Sequence, residues 1–368
     1  MVKVLIVGQT PPPYGGQAIM IQNLLDAPFE RVGLYHVRMA FSREMKDIGK
    51  FKLSKMFHLL KVVSSIVYMR FRYHISVLYY PPGGPDKLSL YRDLFILIST
   101  RWLFSKTIFH FHAAGVSNLY PELTPWTQCL FRKAFYYPDA AIRLSTANPP
   151  DGQNIKAYWD YIIPNGIQDH YHILNKKKGN SFAEILFVGL LRESKGILVL
   201  IDAANVLRTS GYAFRVKIMG EFESEEFRNT VLKTVQQYGL EEYITFLGIL
   251  TGDKKWICYS KADIFCYPTF FKSESFGLVL LEAMQHCLPV VASRWRGIST
   301  LVRDGETGFL VPEKDSKILA EKLEFLITHP DLAKQMGLRG RELFLQNYTL
   351  DKFYQNLESV FLSIVDQK

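Results

Sequence analysis

Two carboxylates eight positions apart, Glu274 and Glu282, frame the densest chemical signal in the chain: Phe270-Phe-Lys-Ser-Glu274-Ser-Phe276-Gly277-Leu278-Val-Leu-Leu-Glu282. The apolar run Ile264–Tyr267 reads as a strand that ends at Tyr267-Pro268. A loop follows, and an apolar helix is predicted from Leu278. Gly277 lets the backbone come close to a ligand. A helix start offers free N–H groups and the positive end of the dipole, which suits a diphosphate. Glu282, about one turn into that helix, can accept two hydroxyl hydrogen bonds of the kind a ribose offers. Glu274, on the loop, is within reach of a sugar hydroxyl. Spacing alone fits equally well a capped helix with two surface carboxylates.

A second cluster is Phe187-Val-Gly189-Leu190-Leu-Arg192-Glu-Ser-Lys195-Gly196. It reads as a strand, a glycine turn, two cations and a helix start. Cations there bind phosphate by charge-assisted hydrogen bonds and stabilise a leaving diphosphate as charge develops on it. The plainer reading of Arg192 is a salt-bridged surface arginine. A third is Gly8-Gln-Thr-Pro-Pro-Pro-Tyr-Gly15-Gly16, between the first strand and the first helix. It lies where a Rossmann fold places phosphates, but it is not G-x-G-x-x-G, so a dinucleotide is not expected.

His110 and His112 share one face of the strand Thr107–Phe111. No carboxylate or cysteine accompanies them, so no metal is expected, and His110 reads as a buried, hydrogen-bonded histidine. Gly220 and Gly248 end two further strands and are candidates for the wall of a base pocket. No D-x-D occurs in the chain. A metal-dependent transferase would use such carboxylates to hold a divalent ion on the diphosphate. Arg192, Lys195 and the helix start are expected to take that role.

These motifs together resemble the family-4 retaining glycosyltransferases of GT-B architecture. The resemblance rests on Glu274, Phe276-Gly277 and Glu282, followed by Leu288-Pro-Val-Val-Ala-Ser293, Gly297 and Asp304-Gly-Glu-Thr-Gly308-Phe-Leu-Val311. It runs from about Glu184 to Val311 and is weaker in the N-terminal half. It implies a nucleotide-sugar donor as co-substrate with no other cofactor, and diphosphate contact by Lys195. It places Gly15 and Gly16 at the donor phosphates in an interdomain cleft, and His112 near the transferred sugar. Many members carry Arg directly after the first glycine, where this chain has Leu190; Arg192 is assigned that role. Many carry Glu near Thr300, a further departure from the family pattern. Pro164-Asn165-Gly166 resembles the family's hinge-side turn. The resemblance implies retention of anomeric configuration. No carboxylate is placed as a nucleophile, so same-face attack assisted by the leaving phosphate is preferred. Precedent in the family points to a saccharide or lipid-linked acceptor in bacterial surface-polysaccharide assembly. The competing readings are a sugar-nucleotide epimerase of similar architecture and a catalytically degenerate binding subunit.

The elements that must position these residues are short apolar runs alternating with helical patterns. Strands are expected at Val2–Val7, Ile75–Tyr80, Thr107–Phe111, Ala141–Leu144, Glu184–Val188, Phe214–Met219, Ile244–Leu247, Ile264–Tyr267 and Val290–Ala292. Helices are expected at Ala18–Leu25, Lys52–Arg70, Ser89–Trp102, Leu198–Ser210, Glu223–Tyr238, Leu278–His286 and Lys317–Thr328. Such alternation implies α/β architecture with parallel sheets covered on both faces, here two Rossmann-like domains facing a cleft. The alternation breaks in the polar stretch His170–Asn180, which contains Lys176-Lys177-Lys178-Gly179. The expected division is 1–170 for acceptor binding, 171–350 for the nucleotide sugar, and a terminal helix, 351–368, docking back on the first domain.

The 368 residues carry a net charge of +9. Residues 1–170 hold 19 basic and 11 acidic side chains, whereas residues 171–368 hold 25 and 24. The excess peaks between Phe41 and Arg72, among many apolar residues. A basic, aromatic-rich face suits an anionic membrane surface; the plain alternative is a solvated helix face. No nucleic-acid motif appears, so nucleic acid is not an expected partner. The first residues do not form a signal peptide, and no window has the apolar length of a spanning helix. The four cysteines lack metal spacing and read as free thiols. The expected location is the cytoplasm, or the inner face of the cell membrane.

Overall fold

The computed structural model describes residues 1–12, 14–40, 53–171 and 182–366. The first part of the basic stretch, residues 41–52, and the Lys176–Lys178 run lie outside the described residues.

Two six-stranded sheets carry the fold, and every strand pairing is parallel. The first contains β1 (Val2–Gly8), β2 (Val32–Arg38), β3 (Val77–Tyr80), β4 (Lys106–Phe111), β5 (Ala140–Arg143) and β6 (Trp159–Ile162). Its order is β2-β1-β3-β4-β5-β6. The second contains β7 (Ala183–Val188), β8 (Phe214–Met219), β9 (Ile244–Gly248), β10 (Ile264–Tyr267), β11 (Val290–Ser293) and β12 (Gly308–Val311), in the order β12-β11-β10-β7-β8-β9. The chain divides into two units, Met1–Asn165 with Leu350–Lys368, and Gly166–Thr349.

The nine expected strands all form, within a few residues of their expected ends. Three others, β2, β6 and β12, were not anticipated. All three are edge strands. Residues of β2 and β6 are largely half-buried or exposed, so they lack the continuous apolar run that marks a strand covered on both faces. The helices Pro125–Phe135, Gly252–Lys261 and Pro330–Asn347 also lie beyond the expected set. Pro125 sits in the first turn of its helix, where its missing N–H costs nothing, and the Thr124 hydroxyl caps it by accepting from Thr127 N.

In the first unit the helices Leu53–Arg72, Lys87–Thr100 and Pro125–Phe135 form a layer on one face of the sheet, with Val62, Ile66, Leu90, Leu94 and Phe131 in one core with Tyr80, Phe109 and Phe111. Strand alternation sends Tyr79 and His110 to the other face. The helix Leu350–Asp366 lies there, with Phe361 5.8 Å from Tyr79 and Phe353 6.4 Å from His110 between ring centres. The Tyr354 hydroxyl donates to Asn23 O at 2.9 Å.

Counted from β7, the second sheet has the order 3-2-1-4-5-6. Its connections diverge between β7 and β10, and open α/β sheets bind ligands outside the carboxyl ends of the strands at such a switch point.

Candidate active site

Two loops leave the second sheet at that point, Gly189–Gly196 after β7 and Pro268–Gly277 after β10. They are laced together. Phe270 N donates to Ser194 O at 2.8 Å and Thr269 Oγ1 to the same oxygen at 3.2 Å. Gly196 has φ +81°, and a Cβ there would lie 2.0 Å from Pro268 O. Only glycine permits both this left-handed conformation and this approach.

The lacing brings Lys195 against Glu274. Lys195 Nζ forms an ion pair with Glu274 Oε2, and Tyr267 OH donates to the same oxygen at 2.7 Å. Lys195 Nζ is also 2.8 Å from Tyr267 OH. Burial, reinforced by the Glu274 carboxylate, pushes the Tyr267 phenol well above its usual range, so it stays a proton donor. Arg192 precedes the turn Glu193–Lys195 in extended backbone and pairs with Glu223 at 2.8 Å. Its guanidinium lies 4.7 Å from the centre of the Phe271 ring, and Lys195 Nζ lies 5.1 Å from the same centre. The two cations therefore share one aromatic support, and side by side they offer charge-assisted hydrogen bonds to a polyanion.

Gly277 caps the helix Leu278–Gln285 with φ +82°. Phe276 is buried and packs edge-on against Tyr348, and Leu278 opens the helix. Glu282 projects from this helix to a second pair of partners that sequence reasoning missed. Lys255 Nζ lies 2.5 Å from its Oε1, and Tyr259 OH donates to Oε2 at 2.6 Å. Lys255 also sits 4.6 Å from the Trp256 ring centre. A carboxylate has about four lone-pair directions, so Glu282 keeps accepting capacity beyond these two bonds.

Gly220 and Gly248 form a row with Gly189 across neighbouring strand ends: Gly189 N bonds Met219 O at 3.0 Å, and Gly220 N bonds Gly248 O at 2.9 Å. A Cβ on Gly220 would lie 1.8 Å from Gly189 O, so this glycine serves close packing of strand ends. A Cβ on Gly248 would meet nothing within 4 Å. Thr300 turns its hydroxyl back to Gly297 O at 2.8 Å.

The remaining expected residues lie in the first unit. Gly15 precedes the helix Gly16–Leu25 in extended backbone, and a Cβ on it would meet no described atom within 4 Å. Arg38 Nη2 holds the preceding loop through Thr10 O, Pro11 O and Pro12 O at 3.0–3.2 Å. His112 follows β4 and is buried. Burial takes its pKa down to about 3, opposed by a hydrogen bond with the Asn165 side chain. Its ring stacks on His110 at 4.0 Å, and His110 Nδ1 is 2.5 Å from Tyr79 OH. Both imidazoles are neutral at pH 7. Among the described residues, no three His, Cys, Asp or Glu gather as a metal-binding group.

Comparison with known proteins adds the family. Residues 173–343 match the family model described as glycosyl transferases group 1. Over this part, a little under half of its length, the chain is similar to the group 1 glycosyl transferases. The matched part holds Arg192, Lys195, Lys255, Tyr259, Tyr267, Glu274 and Glu282. The putative colanic acid biosynthesis glycosyltransferase WcaL of Salmonella typhimurium is 32% identical over 186 residues, 49% of this chain and 45% of the relative. The phosphatidyl-myo-inositol mannosyltransferase of Mycobacterium leprae is 36% identical over 159 residues, 43% and 41%. The chain thus covers less than half the length of these two curated relatives. Sucrose-phosphate synthase of Thermosynechococcus elongatus has the same fold, with TM-score 0.76 at 19% identity over 100% of both chains. The architecture is that of the GT-B glycosyltransferases.

Proposed function

We propose that the protein transfers a sugar from a nucleoside-diphosphate donor to a saccharide or lipid-linked acceptor, retaining anomeric configuration and needing no metal ion. The observation that carries this reading is the Lys195–Glu274–Tyr267 cluster at the switch point of the second sheet, with Arg192 beside Lys195 on the Phe271 ring. Lys195 and Arg192 supply fixed positive charge for the diphosphate, which is the service a divalent ion otherwise performs. Glu274, relieved of Lys195 when the diphosphate takes that cation, accepts from a sugar hydroxyl. Glu282 accepts from the ribose. His112, in the first unit, is neutral at working pH, so it would meet a sugar hydroxyl as a hydrogen-bonding partner and not as a cation.

In the reaction, the bond from the anomeric carbon to the diphosphate oxygen breaks as the acceptor oxygen attacks from the same face. The acceptor proton passes to the departing phosphate oxygen. The relatives named for colanic acid biosynthesis and for phosphatidyl-myo-inositol mannosylation support a surface-polysaccharide or glycolipid acceptor.

Calorimetry with UDP, GDP and ADP in the presence of a chelator tests the donor reading. One nucleotide binds, and Glu282→Ala weakens it; failure of all three removes the reading. Anomeric analysis of the product tests the stereochemistry, and a β-linked product from an α-donor overturns retention.

A further inference from the structure

In the first unit, the helix Leu53–Arg72 is apolar on two opposite faces. Val62 and Ile66 enter the core. On the opposite side, Phe57, Leu60, Tyr68 and Phe71 are each more than half exposed. At 100° per residue these four fall within one stripe about 80° wide, and Lys61 and Arg72 flank it along one edge. The adjoining helix Lys87–Thr100 repeats the pattern. Leu90, Leu94 and Leu97 are buried, while Leu88, Tyr91 and Phe95 face out, and Trp102 continues that stripe at 74% exposure. Two neighbouring helices thus present aromatic stripes to solvent, an arrangement that isolated surface hydrophobics do not produce.

The charge on this layer is predominantly positive, with Asp86, the exposed cap of the helix Lys87–Thr100, as an exception. Residues 53–72, 87–103 and 125–135 contain nine Lys or Arg and a single acid, Asp93. Asp93 is buried and paired with Arg92 at 2.7 Å, so it adds no negative charge to the surface. A second copy of the chain would bring like charge against like. An anionic bilayer satisfies both features: its headgroups attract the cations, and its interface is where Tyr and Trp rings partition. No described helix is long and apolar enough to cross a membrane.

We propose that the outer face of the helices Leu53–Arg72 and Lys87–Thr100 docks the protein on an anionic lipid bilayer, with the aromatic stripes entering the interface and Lys61 and Arg72 meeting the headgroups. The inference stands on the first unit alone and does not depend on the donor chemistry of the second.

The test is co-sedimentation of the full chain with vesicles of phosphatidylcholine alone and of equal parts phosphatidylcholine and phosphatidylglycerol. Binding to the anionic vesicles, weakened by salt, is expected. Phe57→Ser/Leu60→Ser/Phe71→Ser should lower the partition coefficient by at least about tenfold, because each side chain forfeits its transfer into the interface. Lys61→Glu/Arg72→Glu should lower it without removing apolar surface, and Leu232→Ser/Ile249→Ser in the second unit should leave it unchanged. These side chains are all exposed, and an unchanged thermal midpoint establishes that each variant folds. The fluorescence of Trp102 should shift to the blue on binding and lose that shift in Trp102→Phe. Absence of binding to anionic vesicles overturns the proposal. So does binding that both stripe variants leave intact, or a dimer in solution that the apolar variant dissolves.

Discussion

Glu282 shows how a carboxylate is held by partners from outside its own helix. Its two oxygens are fixed by Lys255 and Tyr259, and Lys255 is steadied over Trp256. A carboxylate so oriented presents its remaining lone pairs in one direction, which is what discrimination between a ribose and a deoxyribose requires. Removing a substrate hydroxyl from such a site costs about 1.5–3 kcal/mol for a charged acceptor. The bound nucleotide should therefore be preferred over its 2′-deoxy form by roughly ten- to a hundredfold. Lys255→Met should erase most of that preference, because the freed carboxylate turns away. Calorimetric titration with both nucleotides decides it; a preference that survives the substitution would make Lys255 a purely structural ion-pair partner. Glu274 and Glu282 were legible in the sequence because their spacing is fixed by one loop and one turn of helix. Lys255 and Tyr259 were not. They reach Glu282 across 27 and 23 residues from a helix the periodicity did not reveal. The ion pair between Lys195 and Glu274 was likewise hidden: each residue was found, but the 79 residues between them conceal the contact.

At the scale of elements, the site depends on two loops that meet through glycine. Gly196 and Gly211 have nearly equal dihedrals, φ +81° and +82°. A Cβ on Gly211 meets nothing within 4 Å, whereas one on Gly196 falls on the Pro268 carbonyl. Alanine at either position pays about 1–2 kcal/mol for the left-handed conformation. Only Gly196→Ala must also push the two loops apart. We expect Gly196→Ala to lower Tm well beyond Gly211→Ala and to weaken nucleotide binding, while Gly211→Ala leaves binding unchanged. Equal losses of Tm, or full nucleotide affinity in Gly196→Ala, would refute the coupling. Sequence periodicity located the strands of these loops because β7 and β10 are interior and apolar throughout. It failed at β2 and β6, whose residues are largely half-buried or exposed and whose pattern blends with that of a loop; incomplete cover does not explain the miss at β12, which is mostly buried.

At the scale of the whole molecule, buried histidines link stability to pH. His112 has a folded pKa of about 3, and burial also takes His110 well below the usual value of 6.5. Between those values the unfolded chain binds more protons than the folded one. The stability that depends on neutral imidazoles is therefore full above about pH 6.5 and is lost progressively as pH falls below it. Tm should drop between about pH 7.5 and about pH 5, and the drop should be smaller in His112→Gln, which has no proton to gain. An identical drop in the variant would show that other groups carry the acid sensitivity. The sequence revealed the apolar spacing of Phe353, Leu357, Phe361 and Ile364, but not that Tyr79 and His110 would be the surfaces receiving that helix, since strand direction is set only when the sheet assembles.

The placement of the helix Leu350–Asp366 in the first unit bears on how the chain is made. Residues 166–349, a complete unit with its own sheet, intervene between β6 and this helix. On the ribosome, the first sheet is therefore synthesised early but keeps the Tyr79 and His110 face without Phe353 and Phe361 until the entire second unit has emerged. The unit that begins first is the one that finishes last. Its aromatic face lacks these two side chains throughout elongation of the second unit, whereas the second unit has all of its own core residues before that helix is made.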